Sequence, residues 1–459
     1  MAMVLFLIFM IMEIGFVVFE FTKRASKKDW INKRLIVNAA EIAVYLLMMF
    51  LPGIDFSFRF KVLALILVIR LLLAALFALL NRKNEKTKKR AAIIGSLILS
   101  IILLGGSMIP AFVFADYQGR ETTGEYGVST CDAILVDQAR VETFENDGSY
   151  REVPVHFYYP EEIGSMEKKN LPLVIFSHGA FGYYQSNTST YMELASHGYV
   201  VVSLDHPYHS FFTKDTKGNT IIVDRDFIQS AMMIGGDNNP LSEKETYETT
   251  SVWMQLREAD MNFVIDELKA AAQMSDFDES WYFDGKGQNL PETVQIILGA
   301  VNTDKIGLMG HSLGGATAVT VGRRDDVSAV VDLDGTMLGE ETGVAEGKLQ
   351  YNEEPYNTPL FNLISELHHE SEAEAEAADY SYVNTVVLSH AANGHETYIK
   401  NSAHMNFTDL PLFSPALAGF LGTGSVDAGE CIDQVNALVL QFFDCYLKDG
   451  QPFSPEEYY

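Results

Sequence analysis

The chain has 459 residues, of which 48% are hydrophobic, and it carries a formal net charge of −28. This length and apolar content exclude a disordered tail and require at least one large buried core. Residues 1–115 contain 15 Lys and Arg against 6 Asp and Glu, whereas residues 116–459 contain 18 against 55. The acidic second part argues against a nucleic-acid partner, because it would repel phosphate groups.

Four apolar stretches occupy the first part of the chain, at residues 1–21, 35–51, 62–80 and 91–115. Each is close to the roughly 20 residues that a helix needs to cross a membrane. No basic residue precedes the first stretch and no small-residue cleavage site follows it, which disfavours a signal peptide. We therefore predict that residues 1–115 form an all-α transmembrane helical bundle of four spans, which anchors the protein in the lipid bilayer.

Basic residues cluster in two loops between these spans. The first loop contains Lys23, Arg24, Lys27, Lys28, Lys33 and Arg34, and the second contains Arg82, Lys83, Lys86, Lys88, Lys89 and Arg90. The positive-inside rule places both loops in the cytoplasm. The sequence thus predicts a multi-pass protein of the cell membrane, with the N-terminus and everything after about Asp116 on the extracytoplasmic side.

Three charged residues, Glu13, Glu41 and Arg70, lie within the apolar stretches. An ionised group costs about 3 kcal/mol at the bilayer centre, so we expect these side chains to face one another across the bundle. A packing contact is favoured over a transport pathway, because no interrupted helices or repeated halves are visible.

Residues 116–459 alternate short β-branched runs with helical patterns, which predicts an α/β domain. Several runs are apolar throughout, as in a mostly parallel central sheet with helices on both faces. The predicted strands are 133–136, 153–159, 173–176, 200–204, 305–309, 329–333, 360–364 and 396–399, and the predicted helices are 188–196, 247–272, 315–323 and 431–447. Residues 206–245 and 338–355 are expected to run around the rim of the sheet, and the acidic run 370–378 to lie on the surface.

The segment 310–314 (GHSLG) has the G-x-S-x-G pattern of a nucleophile elbow. A predicted strand runs directly into it and a helix of small residues leaves it, which is the context that the elbow requires. Gly310 and Gly314 let strand and helix approach closely, so Ser312 Oγ projects from the carboxyl edge of the sheet. Ser312 is therefore the predicted nucleophile.

A serine nucleophile needs a base held by a carboxylate, and in this architecture they follow in the order Ser, Asp or Glu, His. The strand predicted at 329–333 leads into Asp332 and Asp334, which its period of two places on the same side. Alternation therefore does not choose between them. Asp334 lies nearer the carboxyl end of the strand and is preferred; the other role for either residue is to cap the following turn.

Five histidines follow this strand in the sequence: His368, His369, His390, His395 and His404. His404 comes after the last predicted strand, where a loop histidine can reach back over the sheet. His395 precedes that strand and is expected at the opposite end, and His368 and His369 adjoin the acidic run. His404 is therefore the predicted base.

The tetrahedral intermediate of acyl transfer needs two N–H groups aimed at its negative oxygen. The backbone of Leu313, next to the nucleophile, is expected to supply one of them. The second is assigned to Ala180 in the segment 176–181 (FSHGAF), which follows another buried strand. The alternative for His178 and Gly179 is a plain turn between strand and loop.

Neither a metal site nor a disulfide framework is expected, and no cofactor is needed. His206 and His209 are a weak metal pair without a convincing third ligand, so contacts to substrate at the rim are favoured. Cys431 and Cys445 lie about 21 Å apart along one predicted helix. This is too far for a bond between them, so at most Cys131 pairs with one of the two.

Nine blocks, in order, carry a resemblance to a known family: GEYG at 124–127, LVD at 135–137, VHFYYP at 155–160, FSHGA at 176–180, LASHGY at 194–199, GHSLGGAT at 310–317, LDG at 333–335, PLF at 359–361 and SAHMNF at 402–407. They resemble the platelet-activating factor acetylhydrolase family of α/β-hydrolases, in the branch of the plasma enzyme and its bacterial relatives. The chain departs from that pattern after Asp334, where Gly-Thr replaces the aromatic residue of the animal members, and in its acidic excursions and its spans.

The resemblance implies that Ser312 is the nucleophile, Asp334 the acid, His404 the base, and Ala180 and Leu313 the oxyanion donors. It also implies hydrolysis of short or oxidised acyl esters without calcium or another cofactor. We therefore expect a membrane-anchored serine esterase or lipase acting on an ester or lipid substrate. The alternatives are a polyester or cutin-type hydrolase, an acyltransferase of the same fold, and a non-catalytic membrane receptor or scaffold, and the oligomeric state is left open.

Overall fold

The computed structural model describes residues 1–23, 26–83, 85–117, 119–236, 239–274, 276–284, 289–377 and 381–459. Arg24 of the first basic loop and the last residue of the acidic run, Ala378, lie outside the described residues. The chain divides into two compact units, Met1–Gln118 with Leu412–Leu417, and Gly119–Pro411 with Ala418–Tyr459. All strands of the described residues belong to the second unit.

The described residues of 1–115 form the helices α1 (Ala2–Lys23), α2 (Lys27–Met48), α3 (Phe58–Leu80), α4 (Arg90–Ser107) and α5 (Ile109–Val113). Within the described residues, α1, α3 and α4 are long and apolar enough to cross a membrane. The second predicted span lies in α2, whose first two turns are strongly charged. The fourth predicted span is divided between α4 and α5, with Pro110 in the first turn of α5, where its missing N–H is tolerated. The count of four spans stays a prediction.

The two basic loops contact each other at one end of this helical unit. Lys27 donates its backbone N–H to the Lys86 carbonyl at 2.8 Å, and Ser26 and Thr87 form an antiparallel bridge. Lys28 Nζ also lies 3.3 Å from Glu85 Oε1. The loops between α1 and α2 and between α3 and α4 therefore share one side, as the charge pattern requires.

The charged residues within the helices form a paired cluster. Arg70 makes ion pairs with Glu13 and with Glu41, the latter at 3.0 Å between Nη1 and Oε2. Arg34 also pairs with Glu13. All four side chains are largely buried, and pairing offsets the high cost of an isolated charge there. The three predicted residues therefore do face one another.

The second unit is built on one large sheet with two small hairpins. Its strands are β1 (Val128–Val141), β2 (Tyr150–Pro160), β3 (Leu171–Ser177), β4 (Val200–Leu204), β5 (Phe212–Lys214), β6 (Thr220–Ile222), β7 (Trp281–Tyr282), β8 (Val301–His311), β9 (Ala329–Leu333), β10 (Glu341–Ala345), β11 (Lys348–Tyr351), β12 (Leu360–Ser365) and β13 (Gly394–Ile399). Nine of them form the sheet in the order β13-β12-β9-β8-β3-β4-β2-β1-β7. The six strands from β13 to β4 pair in parallel, and β2, β1 and β7 add antiparallel strands. The predicted α/β fold class is confirmed.

Helices cover both faces of this sheet. The helices of the described residues after Gly119 are α6 (Thr188–Ser196), α7 (Arg225–Ile234), α8 (Glu243–Ala271), α9 (Leu290–Ala300), α10 (Leu313–Val321), α11 (Glu366–Ala377), α12 (Val383–Ser389), α13 (Leu410–Phe413), α14 (Pro415–Leu421) and α15 (Ala428–Leu447). Side chains alternate along β3, so Ile175 joins the buried cluster that contains Val264 of α8. Its neighbour Phe176 packs on Tyr191 of α6 on the other face, with ring centroids 4.9 Å apart.

The structure adds detail on the acidic run and on the cysteines. The acidic run is helical up to Ala377 and mostly exposed, with Glu372 buried. The possible disulfide of Cys131 is not formed, because Cys131, Cys431 and Cys445 are all free.

Candidate active site

Ser312 occupies a strained turn between β8 and α10. Its φ of 55° lies in a region that non-glycine residues rarely adopt. Its N–H donates to the Leu333 carbonyl of β9 at 3.0 Å, which fixes the turn against the neighbouring strand. A Cβ on Gly310 would overlap the backbone of Gly314, and one on Gly314 would overlap the carbonyl of Ser177. The two motif glycines are therefore required by close backbone approach.

Asp334 and His404 meet at the carboxyl edge of the sheet. Asp334 directly follows β9, its N–H donates to the Leu363 carbonyl of β12 at 2.9 Å, and its φ is 54°. Its Oδ2 lies 2.7 Å from Nδ1 of His404, in the loop after β13. A carboxylate only accepts hydrogen bonds, so His404 carries its proton on Nδ1 and leaves Nε2 free as a base.

The environment keeps Asp334 ionised. Burial alone would raise the pKa of Asp334, but hydrogen bonds from His368 and His404 outweigh it and hold that pKa well below its usual range. The His404 side chain is 42% exposed, whereas that of Asp334 is almost fully buried. The pair thus joins a charged, enclosed carboxylate to an imidazole that solvent and substrate can reach.

Asp332, the other candidate acid, points elsewhere. Its Oδ1 accepts the N–H of Gly335 at 3.0 Å, and its Oδ2 has no partner among the described residues. Burial raises the pKa of Asp332 well above its usual value. Asp332 is therefore a neutral group that supports the turn after β9, which is the capping role.

Ser312 and His404 are linked through His311. His311 donates from Nε2 to the His404 carbonyl at 3.1 Å, and the centroids of the two rings lie 4.6 Å apart. Burial, with the adjacent His404, lowers the pKa of His311 to about 3, so this imidazole stays neutral. In the described part of the chain no hydrogen bond joins Ser312 Oγ to His404. Such contacts are often long before substrate binds.

Among the described residues, the N–H groups of the two predicted oxyanion donors have no backbone acceptor. Leu313 is the first residue of α10, where a helix has no intrahelical acceptor for its N–H. Ala180 follows Gly179, whose carbonyl accepts from Arg257 Nη2 at 3.2 Å. C=O and N–H of one trans peptide unit point in opposite directions. The Gly179 carbonyl therefore faces Arg257, and the Ala180 N–H faces away from it.

Arg257 was not singled out from the sequence, yet it is fully buried beside this loop. Its Nη1 donates to the carbonyl of His178, and its Nη2 to that of Gly179. It lies on the buried face of α8, with Met254 one turn before it and Met261 one turn after it. The available signal was two charged residues, Arg257 and Asp260, within a helical stripe that is mostly apolar.

His368 was set aside because it adjoins the acidic run, but it too contacts the candidate acid. Its Nδ1 lies 3.2 Å from Asp334 Oδ1. It stands three residues after the end of β12, at the same edge of the sheet as His404. The positional criterion that selects His404 therefore applied to His368 as well.

His206 and His209 were expected to contact substrate at the rim, but the structure buries both side chains. His206 lies 2.9 Å from Asp260 through Nδ1 and 2.9 Å from Ser177 Oγ through Nε2. The His209 ring stacks on Phe227 with centroids 3.7 Å apart. Among the described residues there is no group of three or more side chains that would hold a metal ion.

The mostly parallel sheet, the strained turn at its carboxyl edge and the carboxylate–imidazole pair beside it are the arrangement of an α/β-hydrolase fold. Residues 149–454 match the family described as "Platelet-activating factor acetylhydrolase, isoform II". The match covers more than half of the chain, and the protein belongs to this family.

Three relatives are 23–25% identical to this chain over the aligned residues. The platelet-activating factor acetylhydrolases of Bos taurus and Canis lupus familiaris are 23% and 25% identical over 290 residues, which are 60% of this chain and 57% of each relative. That of Gallus gallus is 23% identical over 296 residues, 61% of this chain and 63% of the relative. The chain thus spans less than two thirds of the length of these relatives. A ferulic acid esterase from Streptomyces cinnamoneus shares the fold, with a TM-score of 0.50, 21% identity, and coverage of 73% of this chain and 95% of that chain.

Proposed function

We propose that the protein is a membrane-anchored serine esterase that hydrolyses carboxylic esters, with short-chain or oxidised acyl lipids as its substrate class. The observation that carries this proposal is the 2.7 Å contact between Asp334 Oδ2 and His404 Nδ1, at the sheet edge where Ser312 sits on its strained turn. Family membership and the names of the relatives support an ester of this kind as substrate.

Each side chain has one role in the proposed reaction. His404 Nε2 takes the proton of Ser312 Oγ as that oxygen attacks the ester carbonyl carbon. The N–H groups of Leu313 and Ala180 stabilise the oxyanion, and Asp334 stabilises the imidazolium of His404. The imidazolium then protonates the departing alcohol, and water, deprotonated by His404, hydrolyses the acyl-enzyme. The acid is released and Ser312 is restored.

The nucleophile is tested by replacing Ser312 with alanine in the detergent-solubilised full chain. Ser312→Ala is expected to lower kcat for p-nitrophenyl acetate by about 10⁴-fold or more and to abolish labelling by a fluorophosphonate probe. The matched control is Ser328→Ala, which removes an exposed hydroxyl at the amino end of β9. Wild-type hydrolysis by Ser312→Ala would end the proposal, and a folded wild type that the probe does not label would favour a receptor or scaffold.

Substrate class and acceptor are tested with a panel of esters. Rates are expected to fall as the acyl chain of a phospholipid lengthens, and they are expected to stay unchanged when an alcohol acceptor is added. The exposure of His404 supports hydrolysis, because water reaches the base directly. Partition of the acyl-enzyme toward added alcohol would instead indicate an acyltransferase.

The proposed membrane topology rests on the two basic loops, which meet at one end of the helical unit. With those loops in the cytoplasm, residues 119–411 lie outside the cytoplasm. Protease added to intact cells is expected to degrade this region while sparing a tag placed in the second basic loop. Full protection of residues 119–411 would overturn the orientation.

A further inference from the structure

Asp334 is shared by two imidazoles. Its Oδ2 accepts from His404 Nδ1 at 2.7 Å, and its Oδ1 accepts from the backbone N–H of Ser365 at 2.6 Å and from His368 Nδ1 at 3.2 Å. The carboxylate is therefore held on both oxygens, although its own backbone is strained at φ 54°. A strained residue keeps its conformation only when its surroundings over-determine it.

His368 is itself fixed from several directions. Its backbone N–H donates to Ser365 Oγ at 3.1 Å, and its Nε2 lies 3.0 Å from the Tyr382 hydroxyl. Glu372 Oε1, one helical turn further along α11, lies 3.6 Å from the same Nε2. The ring is nearly buried, with 9% of the side chain exposed. Its orientation toward Asp334 is thus set by packing and by hydrogen bonds at both nitrogens.

We propose that His368 is a positioning residue of this active site, which holds the Asp334 carboxylate toward His404 and whose charge repels the imidazolium that forms on His404 during the reaction. The inference rests on the proposed function, because it assigns a role through Asp334 and His404. His368 does not touch the reacting atoms.

Both charge states of His368 fit its surroundings. The neutral ring donates from Nδ1 to Asp334 and accepts the Tyr382 hydroxyl at Nε2, whereas the protonated ring also offers an N–H toward Glu372. The charged and titratable groups that face it are Asp332 and Asp334 at the end of β9, Glu372 on α11, Tyr382 before α12, and His404 across the shared carboxylate. Burial would lower the pKa of His368, but the hydrogen bond to Asp334 outweighs it and raises that pKa.

The sign of the effect follows from repulsion between the two rings. A protonated His368 pairs with the Asp334 carboxylate, which also stabilises the His404 imidazolium. The positive charge of His368 repels that imidazolium. This repulsion extends activity toward acidic pH. Removing the charge of His368 relieves the repulsion, so the acidic limb of kcat/KM moves to higher pH.

Two variants separate the positioning role from the charge. His368→Gln keeps a donor for Asp334 Oδ1 without the charge, so we expect kcat within about threefold of wild type and an acidic limb raised by about one pH unit. His368→Phe removes both the donor and the charge, so we expect the same shift of the acidic limb and a loss of kcat of about tenfold. The measurement is the pH dependence of p-nitrophenyl acetate hydrolysis by the solubilised full chain.

His369→Gln is the matched control, because His369 is the next residue on α11 and stacks on Tyr398, with ring centroids 4.2 Å apart, rather than facing Asp334. Its acidic limb is expected to coincide with that of wild type. The inference is overturned if the His368→Gln limb also coincides with wild type, or if a folded His368→Phe keeps full kcat. If His368→Phe does not fold, the position of the acidic limb of His368→Gln alone tests the inference. Failure of the proposed function is distinct, because Ser312→Ala would then hydrolyse the ester at the wild-type rate.

Discussion

Nη2 of Arg257 lies 3.2 Å from the carbonyl oxygen of Gly179, the residue that precedes the proposed oxyanion donor Ala180. Arg257 is fully buried and also donates to the carbonyl of His178. Two successive carbonyls are thus turned toward one guanidinium, and the planar peptide between Gly179 and Ala180 directs its N–H the opposite way. The Gly179 carbonyl also accepts from His178 Nδ1 at 2.7 Å and from the Gly182 N–H at 3.1 Å. The arginine on α8 is therefore one of three donors that set which way this oxyanion donor points.

Loss of Arg257 is expected to weaken the oxyanion hole. In Arg257→Met the Gly179 carbonyl loses one of its three donors and keeps His178 Nδ1 and the Gly182 N–H. We therefore expect kcat to fall by about tenfold, short of the full loss of an oxyanion donor. KM is expected to change less than kcat, because the donors act mainly on the transition state. Steady-state kinetics of the full chain measure both constants.

The control for this variant is Arg324→Met, which removes a partly exposed arginine that pairs with Asp266 and Asp326. Its kcat is expected to match wild type. A folded Arg257→Met with unchanged kcat would contradict the assigned role.

The two aspartates after β9 are expected to respond differently to the same substitution. Asp334→Asn leaves the shape intact but removes the charge that stabilises the His404 imidazolium, so kcat should fall by about 10⁴-fold. Asp332→Asn should keep kcat within a few-fold, because burial already raises the pKa of Asp332 and holds it neutral. The measurement is kcat of the two variants. An equal loss of kcat in both would contradict the different roles assigned to Asp332 and Asp334.

A methyl group at the nucleophile elbow is expected to be far more costly than one on a distant helix. A Cβ on Gly314 would overlap the carbonyl of Ser177, so Gly314→Ala should destabilise the protein by several kcal/mol or prevent folding. Gly299 on α9 has nothing within 4 Å of such a Cβ. Gly299→Ala should instead raise stability by about 0.5–1 kcal/mol. Thermal unfolding of both variants is the measurement, and an unperturbed Gly314→Ala would refute the packing argument.

Glu341 on β10 gives a pH-dependent test of stability. Burial, with the nearby Glu243, raises the pKa of Glu341 to about 7. In the unfolded chain the value is about 4.3. Below about pH 4.3 the carboxyl is protonated in both states and costs nothing; the penalty grows up to about pH 7 and is constant above it. Glu341→Gln should therefore raise Tm most above pH 7 and hardly at all near pH 4.5.

The control for Glu341→Gln is Glu353→Gln, an exposed position after β11. Its Tm is expected to follow wild type at every pH. An increase for Glu341→Gln that is the same at pH 4.5 and pH 8 would contradict the burial argument.

The parts of the site that are local in sequence could be predicted from it. The apolar run of β8, the glycines at 310 and 314, and the small residues of α10 lie within one short segment, and steric close approach acts between neighbours along that segment. The order of the strands' carboxyl ends likewise placed His404 after β13. The apolar stretches at the start of the chain could also be predicted, because each lies within one continuous segment of the sequence.

Other parts depended on the tertiary structure. Alternation along β9 left Asp332 and Asp334 equivalent, but the strand ends at Leu333, and a positive φ at Asp334 turns that residue out of the alternation. The N–H of Asp334 donates to the carbonyl of Leu363, which lies on β12, some 30 positions further along the chain.

The sequence by itself determined the sheet, the elbow at Ser312 and the four apolar stretches, because these follow from periodicity and from sterics between adjacent residues. Only the tertiary structure decided which carboxylate meets His404, and that His368 and Arg257 support Asp334 and the Ala180 peptide. Those contacts join β9, α11 and α8 across long connections, and no local pattern encodes which buried polar groups will meet when the chain is packed.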